Sequence, residues 1–204
     1  MSHARAVVIT EASSLLAFAT ATRLAAGGHS VLMGSPRPDV GEDLATRLRA
    51  RGASAFAAHL DLADPLSIDG FLESVQYLIG DVDGLISSAG VAERSWVGAQ
   101  HLVTQLVSPM LDNGRGDVVL LSPELVGPSP AGADRMLDAW IGGLDAEFVG
   151  TGVRASIVRS NGVVPPEDAG GLIAAMLTSP DMHLRVVDVI PSHRESAPID
   201  GVTR

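Results

Sequence analysis

Short apolar runs of strand length alternate with amphipathic stretches of helix length from residue 6 to residue 190. That alternation is the pattern of a parallel sheet flanked by helices. Ala6-Val7-Val8-Ile9 reads as a fully buried first strand. Ser13 or Ser14 caps a helix running to about Ala26, Gly27-Gly28 stops it, and residues 30–33 form the second strand. The second helix covers 40–51, with Leu44 and Leu48 on its inner face. A third strand over 53–59 leads into Asp61-Leu62-Ala63-Asp64, after which Pro65 opens a helix ending near Gly80. Leu85-Ile86 is a short fourth strand, 96–111 a fourth helix and Val118-Val119-Leu120-Leu121 the fifth strand. A proline-bearing loop, a helix over 134–148, a strand over 154–158, a helix over 166–177 and a strand over 184–190 complete the series.

The reading is therefore an α/β fold: a three-layer, Rossmann-like, doubly wound parallel sheet of about seven strands. It occupies residues 1–190 as one domain, with a loose tail over 191–204. The 46% hydrophobic and 19% charged content excludes a disordered chain. With 4 Phe, 2 Trp and 1 Tyr, the core is aliphatic. The absence of cysteine excludes disulfides, thiolate zinc sites and thiol catalysis. The six histidines show no i, i+4 pairing, so no metal site is expected. A net charge of -10 repels phosphate backbones and anionic headgroups, so neither nucleic acid nor membrane is an expected partner. Glu11 and Arg23 interrupt the apolar start, which argues against a signal peptide and for a cytoplasmic location. All 14 basic residues are arginine, and the one tyrosine is Tyr77.

Five short segments occur in order along this frame. Asp83-Gly84-Leu85-Ile86-Ser87-Ser88-Ala89-Gly90 is similar to the strand-four motif D-x-L-V-N-N-A-G of the short-chain dehydrogenase/reductase family, with both asparagines replaced by serine. Asp61-Leu62 followed by Asp64 resembles that family's acidic corner, which touches the adenine of the cofactor. Leu102-Val103-Thr104-Gln105 with Pro109 resembles its long central helix, Gly152-Val153-Arg154-Ala155-Ser156 its G-I-R-V-N segment, and Pro166-Glu167-Asp168-Ala169 the start of its closing helix. The likeness spans nearly the whole chain. It implies NAD(P)-dependent reduction of carbonyls or oxidation of alcohols, by a tyrosine that moves a proton and a lysine four positions later that tunes it.

The site departs from the resemblance. Counting back from Leu144 and Glu147, the tyrosine and lysine positions hold Pro130 and Asp134, and a chain without lysine cannot form the pair. Arg135 has no tyrosine beside it. Ser122 stands where the helper serine belongs, with Pro123 an equally good alignment, and a turn residue at a strand end explains Ser122 more simply. The short stretch from Gly90 to Trp96 leaves the helix after strand four shortened or missing, and places Trp96 near the active-site asparagine position. In the phosphate loop, Thr10-Glu11-Ala12-Ser13-Ser14-Leu15-Leu16-Ala17 has lost all three glycines of T-G-x-x-x-G-x-G.

The resemblance thus implies NAD(P) at Thr10, Glu11, Ser13, Ser14, Asp61, Leu62, Ser88, Ala89 and Gly90, and NADP in particular if Arg37 meets a 2′-phosphate. As a loop cation between Pro36 and Pro38, Arg37 needs no ligand. Against cofactor binding, Leu15 would crowd the pyrophosphate, and Glu11, Ser13 and Ser14 would satisfy the helix N-terminus from within. Two readings follow. One is a protein without classical activity, serving as a homodimer or tetramer, as partner of an active family member, or as a ligand-binding module with a cleft near Glu11, Ser88 and Trp96. The other is an NAD(P)-dependent oxidoreductase of unconventional make. Asp134, Asp138 and Asp145 read as a solvated or interface face of their helix.

Overall fold

The protein is described by a computed structural model that covers residues 4–88, 92–122, 125, 132–160, 164–179 and 181–190, with the side chains of 133 and 134 excepted. Strands β1 (Ala6–Ile9), β2 (Ser30–Ser35), β3 (Ala55–His59), β4 (Gly84–Ser88), β5 (Gly116–Leu121), β6 (Val153–Ser160) and β7 (Val186–Val189) form a 7-stranded sheet in the order β3-β2-β1-β4-β5-β6-β7. Every pairing is parallel. The helices α1 (Leu15–Ala26), α2 (Pro38–Arg49), α3 (Pro65–Leu78), α4 (Glu93–Asp112), α5 (Ala133–Phe148) and α6 (Pro166–Thr178) each connect two successive strands.

Strand residues alternate between two cores. Val8, Leu32, Leu85, Val118, Leu120 and Ile157 meet apolar residues of α3, α4 and α5. Val7, Ile9, Val31, Ile86, Val119 and Val158 meet those of α1, α2 and α6. Burial on both faces is why the strands read as continuous apolar runs instead of alternating ones. Gly170 sets the α1–α6 approach: an added Cβ would lie 2.8 Å from the Thr20 amide nitrogen.

Ends differ from expectation for local reasons. Of the two candidate caps, Ser14 serves: its Oγ accepts from the Ala17 N–H at 3.0 Å. The fourth strand extends to Ser88 because it pairs β5 through that residue. The fourth helix begins at Glu93 instead of Trp96, five positions after the end of β4 at Ser88. The last strand is shorter than the apolar pattern suggested, Val186–Val189, because β6 is its one neighbour in the sheet. Residues 191–204, expected as a tail, lie outside the described residues.

The edge of the sheet where the strands begin is clasped by charge. Asp117, 8% exposed, is bridged by Arg5 and Arg154 at 2.6 Å each. Arg5 also donates to the carbonyls of Asp83 and Leu177. The Arg5 N–H donates to Nδ1 of His29 at 3.0 Å. Burial of His29, and secondarily the Arg5 charge, holds its pKa below the ordinary 6.5.

Candidate functional site

The strand order reverses between β1 and β4, and the carboxyl end of such a switch point is the crevice where ligands usually sit in an open α/β sheet. Thr10, buried at the end of β1, ties the two strands: its N–H donates to the Ile86 carbonyl at 3.0 Å, and its Oγ1 accepts from the Ser88 N–H at 3.0 Å. The loop then turns through Glu11 at φ 59°, the one non-glycine residue in the left-handed region among those described. This is the first glycine position of the resembled motif, and the chain keeps the glycine-type turn with a side chain on it. The Glu11 carboxylate accepts from the Ser13 hydroxyl at 2.7 Å, the Glu11 carbonyl accepts from the Ser14 N–H, and Ser14 caps α1.

The expectation that Glu11, Ser13 and Ser14 all satisfy the helix N-terminus is therefore corrected in detail. Ser14 does so, whereas the Glu11 carboxylate is held by Ser13. Leu15, on the first turn, is 75% exposed. A pyrophosphate at this helix start would meet a carboxylate and a leucine in place of glycine backbone, so the residues present do not fit that half of a dinucleotide.

The remaining expected positions scatter around the carboxyl edge. Arg37 is exposed at the start of α2, with its amide bonded to Ser35 Oγ at 3.1 Å. The Asp61 carboxylate accepts from the Ala63 N–H at 2.9 Å, and its own N–H donates to Ser67 Oγ. Leu62 lines a pocket of about 740 Å³ with Pro65, Ile68, Val97, Gly98 and His101. A Cβ on Gly98 would stand 1.8 Å from the Leu62 carbonyl oxygen, so α4 lies directly on the β3–α3 corner. Ser88 and Ser122 are buried, and the Ser122 N–H donates to the Val158 carbonyl at 2.9 Å. Ala89, Gly90, Pro123 and Pro130 lie outside the described residues, as does the Asp134 side chain.

Trp96 does not join the crevice. It packs edge-to-face against Trp140 of α5, with centroids 5.2 Å apart, lining a groove of about 640 Å³ between α4 and α5. The pocket expected near Glu11, Ser88 and Trp96 thus loses its aromatic wall. Tyr77, 89% exposed on α3, is remote in the chain from α5, where the tyrosine and lysine were counted. Asp138 and Asp145, expected on a solvated or interface face and not as paired acids, pair instead with Arg159 of β6 and Arg185 before β7. Arg159 escaped the sequence reading. It follows Ile157 by one strand repeat and so faces α5, a charged residue at an inward position that alternation alone would have flagged. Among the described residues, no group of three or more His, Asp or Glu is placed to hold a metal, and no helix is long and apolar enough to cross a membrane.

Residues 5–125 match the family model described as short chain dehydrogenase. The chain is 29% identical over 203 residues to 1-deoxy-11-beta-hydroxypentalenate dehydrogenase of Streptomyces exfoliatus, covering 82% of this chain and 73% of that one. It is 27% identical over 178 residues to glycine betaine reductase of Emericella nidulans, covering 76% of this chain and 14% of the much longer relative. Among solved structures, a metagenomic short-chain oxidoreductase in complex with NADP has a TM-score of 0.80 at 20% identity, covering 92% of this chain and 97% of that one. L-sorbose reductase from Gluconobacter frateurii, complexed with NADPH and L-sorbose, has a TM-score of 0.80 at 17% identity, covering 93% and 96%. At these identities the structural likeness shows the fold alone.

Proposed function

The chain belongs to the short-chain dehydrogenase family, and on that premise we propose that it is a member without the family's carbonyl and alcohol chemistry, one that works by association. The observation that carries this reading is the missing proton relay: the chain has no lysine, and its one tyrosine lies exposed on α3. Loss of positioned acid–base catalysis forfeits about 10²–10⁴ in rate. The turn at Glu11, a carboxylate where a pyrophosphate would lie, argues in the same direction.

The association surface we assign is the α4–α5 face, where the family resemblance implies pairing. Met136 is 51% exposed there, beside the Trp96–Trp140 pair. Gly142 and Gly143 interrupt α5, yet a Cβ on either would meet nothing within 4 Å. Each glycine inside a helix costs about 1 kcal/mol relative to alanine. Close approach of another helix, from an identical chain or an active family member, gives them a purpose that the single chain does not. Size exclusion with light scattering tests this: a dimer or tetramer is expected, disrupted by Gly143→Leu, and a plain monomer at high concentration with no family partner overturns it.

A second reading is favoured by one observation, the 740 Å³ pocket that Leu62 lines. It would accept the adenine of NAD(P), with Arg37 favouring NADP and Ser122 the surviving polar group for an unconventional oxidoreductase. NADPH consumption with small carbonyl compounds, product appearing in step, would establish this reading and remove the first.

A further inference from the structure

Two exposed charges on α5 stand against the polarity of the helix that carries them. Arg135 lies in the first turn, beside the positive end of the helix dipole, and Glu147 lies in the last turn, beside the negative end. Among the described residues neither side chain has an ion-pair or hydrogen-bond partner, while Asp138 and Asp145 of the same helix are both paired. Nothing within the single chain compensates either placement.

The exposed residues between and beside them run in mirror order. Met136, Ala139, Gly142, Gly143, Ala146 and Val149 are all exposed, and each stands as far from the Gly142–Gly143 peptide bond as its counterpart on the other side. The ends of the series are apolar, with Met136 51% and Val149 80% exposed. Its centre is small, with open space where a Cβ on either glycine would stand. Steps of three and four residues keep the series on one side of the helix.

A face with that order is complementary to itself in reverse. A second α5 laid antiparallel about a two-fold axis at Gly142–Gly143 sets Ala139 against Ala146, brings Met136 level with Val149, and puts Arg135 of each copy within one turn of Glu147 of the other. The second dipole runs the opposite way, so Arg135 then stands by a negative helix end and Glu147 by a positive one. The small centre allows the close helix approach that lets these charges meet. A parallel pairing would set Arg135 against Arg135 and Glu147 against Glu147.

We propose that the occupant of the α4–α5 face is a second copy of this chain, its α5 antiparallel to the first, with two Arg135–Glu147 pairs closing the ends of the contact. This rests on the association reading above and narrows its partner from any family member to the identical chain.

The test uses the whole chain in two ways. The sequence contains no cysteine, so introduced thiols report the arrangement directly. Ala139→Cys and Ala146→Cys variants are treated with a short bismaleimide, alone and mixed. The mixture is expected to cross-link several-fold more than either variant alone, because like positions are offset by seven residues, or about 10 Å, along the axis. In light scattering, Arg135→Glu or Glu147→Arg should weaken self-association about tenfold, since each change sets like charges together at both ends of a two-fold contact. The double variant Arg135→Glu/Glu147→Arg should restore it. Either reversal agrees with the helix dipole, so weakened association does not report an unfolded helix. Equal cross-linking of the single variants and the mixture, or a double variant no better than its parents, overturns the proposal and leaves association standing. So does a chain that stays monomeric alone and pairs with a different family member. A monomer with no family partner overturns both readings.

Discussion

Glu11 is where a single substitution separates backbone strain from charge. An L-residue in the left-handed region costs about 1 kcal/mol or slightly more, which glycine escapes. Replacing Glu11 by glycine relieves that strain and forfeits the hydrogen bond from Ser13, worth roughly 1 kcal/mol. Glu11→Ala forfeits the same bond and keeps the strain. The glycine variant should therefore exceed the alanine variant by about 1 kcal/mol, or about 2–4 °C in Tm for a chain of this size. Charge is isolated by Glu11→Gln. A carboxylate about 4 Å from a phosphate oxygen opposes binding by about 4 kcal/mol at an effective dielectric near 20, close to a thousandfold in affinity. Calorimetric titration with NADPH and NADH should find the wild type weakest, and Glu11→Gln and Glu11→Gly tighter by up to that factor. Equal stability of the glycine and alanine variants refutes the strain argument. Micromolar NADPH binding by the wild type refutes the charge argument.

Other consequences are open to measurement. Gly98→Ala drives a methyl into the Leu62 carbonyl and should destabilise by about 1–3 kcal/mol in urea, with the 740 Å³ pocket distorted. Asp117→Asn removes the buried carboxylate that Arg5 and Arg154 both bridge, and a loss of about 3 kcal/mol is expected by chemical denaturation. His29 has its pKa lowered in the folded state, so the unfolded chain binds the extra proton: stability is full above pH 6.5 and falls as pH drops below it, levelling once the folded ring is also protonated. Urea midpoints between pH 7.5 and 5 should therefore fall less steeply for His29→Asn, whose carbonyl can still accept from the Arg5 N–H, than for the wild type; parallel curves would contradict this.

The fold was legible because strands buried on both faces write themselves as continuous apolar runs, and the helices between them carry clear stops such as Gly27-Gly28 and Pro65. Boundaries slipped where pairing decides them: nothing in Ser87-Ser88 announces a strand, yet their register with Leu120 and Leu121 makes them one. The site was legible in its losses, since a missing lysine is visible without coordinates. Its gains were not. Glu11 looked like a stray acid in a glycine motif until its left-handed backbone showed the turn preserved beneath the substitution. Trp96 sat at a plausible catalytic position in the alignment, but which side of a helix meets its neighbour depends on packing, and Trp140 claimed it. Arg159 and Asp138, 21 positions apart in the sequence, pair only because β6 returns beneath α5.

The clasp around Arg5 sets an order of assembly. Its guanidinium reaches a carbonyl 172 positions further along the chain and another 78 positions along, besides the Asp117 carboxylate. A nascent chain emerging from the ribosome holds its opening strand unsealed until α6 has been made, and the central strands must find one another across long loops, which slows closure. The last of those carbonyls belongs to α6, so the clasp closes fully only once the sixth helix has packed against α1.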